Sequence, residues 1–138
     1  MGRVLTVLTL ATGCGTAAPV TAPAALACPP GHNPQIRDGL YFGLVEPSGR
    51  AISEEEWEGF LAATVTPAFP SGLTVLSARG QWQGADGKVV REPSRLLVLF
   101  HEPSQATDQK LRTIIQRYRT DFHQEAVLWE RSLACAAF

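Results

Sequence analysis

GLTVLSARGQWQGADGKVVREPSRLLVLF, residues 72–100, is the stretch on which the reading of this chain turns. Two apolar runs, Leu73 to Leu76 and Leu96 to Phe100, flank a polar centre with Arg79, Gln81, Arg91, Glu92 and Arg95. Asp86-Gly87 suits a tight two-residue turn, because glycine accepts the positive φ such turns need. The stretch therefore predicts one long hairpin. With that turn Trp82 faces Arg91, Gln81 faces Glu92, Arg79 faces Ser94 and Val75 faces Val98. One face then reads Leu73, Val75, Leu96, Val98 and Phe100 at the base, and Ser77, Arg79, Gln81, Glu92 and Ser94 toward the tip. A register slip of one residue would exchange the faces. Pro93 removes a ladder donor, which a free strand edge tolerates.

Working outward, LYFGLVE (40–46) predicts a first strand, with Leu40, Phe42 and Leu44 on one side and Tyr41 and Val45 on the other. SEEEWEGFL predicts a helix that opens with a capping box, Ser53 to Glu56, and closes before Pro67 and Pro70. Trp57, Phe60, Leu61 and Thr64 share its apolar face. A second helix is expected over 106–122, with Leu111, Ile114, Ile115, Tyr118 and Phe122 inward. AVLWERSLACAAF supplies a last strand. The order β-α-β-β-α-β is that of an α+β, ferredoxin-like fold: a four-stranded antiparallel sheet, strand order 4-1-3-2, with two helices on one face. The other face should carry Tyr41, Val45, Leu76, Leu97, Leu99 and Trp129. An uncovered apolar face usually marks an interface, so a homodimer through the open sheet face is expected.

The N-terminus reads as an export signal. Arg3 precedes the short apolar run VLTVLTLA, and small residues precede Cys14. ATGC resembles a bacterial lipobox, so residues 1–14 form a leader whose terminal Cys14 takes lipid. An alternative cut follows Ala27. Residues 15–38 form an Ala/Pro-rich tether and loop, and 39–138 a single α+β domain. Location is then exported, periplasmic or at the cell envelope, with the membrane reached through the lipid anchor only. Of the three cysteines, Cys14 is set aside by lipidation, which leaves Cys28 and Cys135. Cys28 precedes the first strand and Cys135 ends the last. The topology brings both to the same end of the sheet, and an oxidising compartment lets them bond.

Composition narrows the function. Twelve Lys and Arg against 13 Asp and Glu leave no basic face for nucleic acid. His32, His101 and His123 stand far apart, in no metal-ligand spacing, so no metal and no cofactor is expected. No nucleophile elbow or phosphate loop is present. The candidate site is the polar half of the hairpin: Arg79, Gln81, Arg91 and Ser94 as ligand-binding groups, and Glu92, with His101, as the acid or base. The alternative is a solvated tip with Arg79 and Glu92 as a cross-strand pair.

LYFGL, EWEGFL, VTPAFPSGLTVLSARGQWQG, REPSRLLVL and FHQEAVL together resemble the successive blocks of an uncharacterised family of bacterial exported proteins, domain of unknown function 3574. The resemblance implies export and the fold boundaries, and no activity. The expected function is a small binding or interaction domain with an unknown small-molecule ligand. The alternative, by fold analogy, is a cofactor-free enzyme of the oxygenase or isomerase type.

Overall fold

The computed structural model describes residues 27–138. Cys14, the leader and most of the tether lie outside the described residues. Strand β1 spans Asn33–Gly43, helix α1 Glu54–Phe60, strand β2 Thr74–Gln83, strand β3 Val89–His101, helix α2 Gln105–Asp121 and strand β4 Leu128–Ala136. The sheet order is β2-β3-β1-β4, with all pairs antiparallel. This is the expected ferredoxin-like arrangement.

β1 starts at Asn33, well before the expected residue 40. Residues 33–35 pair with β4 alone, and β3 joins at Ile36. Pro34 lies in this overhang, at the first residues of a strand, where proline is tolerated. The overhang also carries the chain end to β4: Cys28 and Cys135 form a disulfide with Cα atoms 5.5 Å apart.

Helix α1 forms as its cap predicts. Ser53 Oγ accepts from the Glu56 amide, and the Glu56 carboxylate accepts from the Ser53 amide. The helix then widens into a π-helical turn, Leu61–Val65, closed by the Thr66 amide donating to the Leu61 carbonyl. The extra residue in that turn moves the inward position from the expected Thr64 to Val65, which is fully buried. Phe42, Trp57, Phe60, Tyr118 and Phe122 form the centre of the core, with Phe42 and Tyr118 edge to face at 4.7 Å.

The hairpin differs from expectation by one residue. Gly84 and Lys88 are bonded across a three-residue loop, Ala85 to Gly87, with Gly87 at φ 79°. This is a type I turn closed by a left-handed glycine, the usual three-residue alternative to the two-residue turn. Gln81 consequently faces Arg91, Arg79 faces Pro93, and Trp82 faces Val90. Because side chains alternate, the slip reverses β3 relative to β2. Leu97 and Leu99 point into the helix-covered core, while Leu96, Val98 and Phe100 point to the open face. Trp129 also turns to the helix side, against the core. The open face therefore carries Tyr41, Leu76, Leu96, Val98, Phe100 and Leu128, not the expected Leu97, Leu99 and Trp129.

Candidate functional site

Three aligned rows cross the open face. Leu76, Leu96, Tyr41 and Leu128 are successive partners on β2, β3, β1 and β4. One pleat further, Ala78, Ser94 and Gly43 form a row of small residues. Beyond it Gly80 faces Glu92, with Trp82 next along β2. Small residues between two bulky boundaries make a trough, since rows on one face are about 6.8 Å apart. The trough is a cavity of about 350 Å³, lined among others by Tyr41, Ala78, Trp82, Glu92, Ser94 and Leu128.

Glu92 lies over Gly43. A Cβ at position 43 would stand 2.5 Å from Glu92 Oε1, so only glycine leaves room for the carboxylate. Glu92 Oε2 accepts the Val45 amide at 2.9 Å. Two further side chains hold the main chain beneath. Tyr118 Oη donates to the Gly43 carbonyl at 2.7 Å, and Gln124 Nε2 to the Val45 carbonyl at 3.0 Å. Burial pushes the Glu92 carboxyl above the usual carboxylate range, and the Val45 amide and Trp82 indole offset that only in part.

A second polar cluster sits on the helix face, at the other end of β1. Asp38 is fully buried and accepts from His101 Nε2 at 2.7 Å and from Trp129 Nε1, Arg131 Nε and Arg131 Nη2 at 2.8 Å each. Burial alone would raise its carboxyl, but the bonds from Arg131, His101 and Trp129 outweigh burial and hold it below the usual range. Arg131 continues to Asp108 on α2 at 2.6 Å. The guanidiniums of Arg112 and Arg131 lie over the Trp129 ring, at 5.4 and 4.9 Å from its centre. With every contact to Asp38 paired, this cluster ties β1, β3, β4 and α2 together.

The expected site residues divide accordingly. Glu92 and Ser94 line the cavity directly. Arg79 and Gln81 also border it, although strand alternation turns their side chains to the opposite face. Arg91 lies outside it, its Nε bonded to Gln81 Oε1 at 2.8 Å, and no Arg79–Glu92 pair forms among the described residues. His101 also lies apart from the cavity. Its Nε2 contacts Asp38 and its Nδ1 the Glu102 carbonyl at 2.7 Å, so neither ring nitrogen is free for a substrate. Sequence reading missed Tyr41, Gly43, Ala78, Gly80 and Leu128. The usable signal was glycine within strand patterns, which marks close approach of another group.

Among the described residues no group of His, Cys, Asp and Glu is placed to hold a metal ion, and no helix is long and apolar enough to cross a membrane. No curated protein matches the chain. Similar solved structures include a phage SAM lyase in complex with S-methyl-5'-thioadenosine, at 16% identity and a TM-score of 0.60 over 86% of this chain and 97% of the other. The same lyase in its apo state gives 15% identity and a TM-score of 0.53, over 83% and 97%. CutA from Synechococcus elongatus gives 16% identity and a TM-score of 0.40, over 75% and 78%. At these identities the likeness to the lyase is one of fold. The family described as protein of unknown function (DUF3574) matches residues 37–138, and the chain belongs to that family.

Proposed function

We propose that this chain is an exported domain, anchored at the cell envelope by lipid on Cys14, that binds a small molecule in the trough on its open sheet face. The observation that carries the binding reading is Glu92, a carboxylate 8% exposed on the floor of an apolar cavity, for which Gly43 leaves the space. A buried carboxyl amid apolar walls is a feature of binding and catalytic sites more than of stable cores. Export is supported by the leader-like start of the sequence and by the Cys28–Cys135 bond, which suits an oxidising compartment.

A homodimer belongs to the same reading. The open face offers roughly 600 Å² per copy at standard strand spacing and rise, against about 800 Å² per partner for a stable interface. Leu76, Phe100 and Leu128 are exposed on it, and a second copy there would roof the trough. A monomeric mass in light scattering at micromolar concentration would remove the dimer.

The raised proton affinity of Glu92 favours a second reading, a cofactor-free enzyme using that carboxyl as general acid or base. One experiment addresses binding in both. The full chain and Glu92→Gln are heated with a metabolite extract and, separately, with S-methyl-5'-thioadenosine, the molecule bound by the similar phage lyase. Stabilisation of the parent that is lost in the variant supports the site. No shift in the parent with either sample would count against a small-molecule role.

A further inference from the structure

Among the described residues three carboxylates are buried: Asp38, Glu46 and Glu92. Asp38 is met by Arg131 and His101, and Glu46 by Arg50 and His123. Glu92 has no cationic partner among the described residues. The basic groups nearest it on the hairpin are engaged elsewhere or turned away. Arg95 pairs with Glu54, Arg91 with Gln81, and Arg79 is directed to the other face. Glu92 Oε2 is held by the Val45 amide, and the Trp82 indole N–H is the other donor directed at the carboxyl; both donors are neutral. Tyr41 and Trp82 are the aromatic side chains that line the cavity with it.

Resting on the small-molecule reading above, we infer that the trough selects a compact organic monocation, a protonated amine or an onium group, with Glu92 as its counter-ion and Trp82 and Tyr41 as its walls. The arrangement supplies what a cation requires and the protein itself withholds: a buried carboxyl without a charged partner, and two aromatic side chains in the same cavity. The groups facing Glu92 are Tyr41 and the Val45 amide from β1 and its extension, Trp82 from β2, Ser94 from β3, Gln124 from the α2–β4 loop, and Tyr118 from α2 through the Gly43 carbonyl. None of these brings a positive charge; the one cation that borders the cavity, Arg79, is on the opposite face of β2 by strand alternation and forms no ion pair with Glu92 among the described residues. Because burial favours the protonated acid, a cation would displace that proton on binding, and affinity for the cation would rise with pH.

Phenyltrimethylammonium and tert-butylbenzene share a shape and differ by one charge. Calorimetric titration of the full chain should show about tenfold tighter binding of the cation at pH 8, the size expected of a desolvated cation–π and ion-pair contact. The preference should shrink as pH falls. In Glu92→Gln the preference should fall to the smaller part that the aromatic side chains give alone, and its pH dependence should be lost. Equal affinity of the parent protein for both compounds leaves the pocket standing and overturns the cation inference. Binding of neither compound overturns both. The comparison on the parent protein needs no variant, so a folding defect in Glu92→Gln does not blunt it.

Discussion

Replacing Asp38 with Asn changes one oxygen into an amide in a site with no solvent exposure. The carboxylate accepts through both oxygens: Oδ1 from Trp129 and Arg131 Nε, Oδ2 from His101 and Arg131 Nη2. Asn keeps one acceptor, so its NH2 must face two donors in either orientation. Arg131 also loses its buried partner and keeps only Asp108. Breaking a buried pair by removing one member costs about 3–5 kcal/mol. With a urea slope of roughly 2 kcal/mol/M for a domain of this size, the midpoint should fall by about 2 M at pH 7. The pH dependence gives a sharper check. Asp38 is depressed in the folded state, so its contribution is present above the unfolded carboxylate value of about 3.9 and is lost as pH falls through the lower folded value. The gap between parent and variant should therefore close in acid. Equal midpoints at pH 7, or a gap unchanged down to pH 2, would refute the account of Asp38 as a charged tie between strands and helix.

Three further outcomes are expected. Replacing Cys28 and Cys135 by Ser opens a closure of 107 residues and should cost about 4–5 kcal/mol on the loop-entropy model, seen as a lower melting temperature that reductant reproduces in the parent. Gly43→Ala should destabilise by about 1–3 kcal/mol through overpacking, and a double-mutant cycle should show most of that loss relieved in a Glu92→Ala background, since the carboxylate is what the new Cβ meets. Glu92 has the opposite sign to Asp38. Its folded value is raised, so its contribution is complete below the unfolded value of about 4.3 and declines as pH rises through the folded value. Unfolding midpoints of Glu92→Gln should therefore gain on the parent between pH 4 and 8; a constant difference would contradict burial of the carboxyl.

Local features were the most legible in the sequence. The Ser53–Glu56 box, the apolar stripe Leu111, Ile114, Tyr118 and Phe122, and the alternation of Leu40, Phe42 and Leu44 each depend on a few neighbouring residues, and each is in place. Where a neighbouring segment intervened, the reading slipped. GADG fits either a two-residue or a three-residue loop, and the one-residue difference reversed Glu92, Ser94, Leu96 and Val98 against β2. NPQIRD reads as loop because of the proline and glycine around it in CPPGHNPQIRDG, and its Arg and Asp have no local partner. As a strand it finds one in β4, where Arg131 and Trp129 meet Asp38.

By itself the sequence determined the element order, the sheet topology that follows from it, and the placing of Cys28 and Cys135 at the same end of the sheet. All of these follow from short-range periodicity and from counting strands. Only the tertiary structure decided which face Glu92 occupies, because that depends on registering β3 against β2 and β1 at once. The polar centre of the hairpin is thus divided between two faces: Arg79, Gln81 and Arg91 stand on the helix side, while Glu92 and Ser94 join Gly43 and Tyr41 from a strand some fifty residues earlier. A glycine and a carboxylate so far apart in the chain share one small space, and no local pattern records that contact.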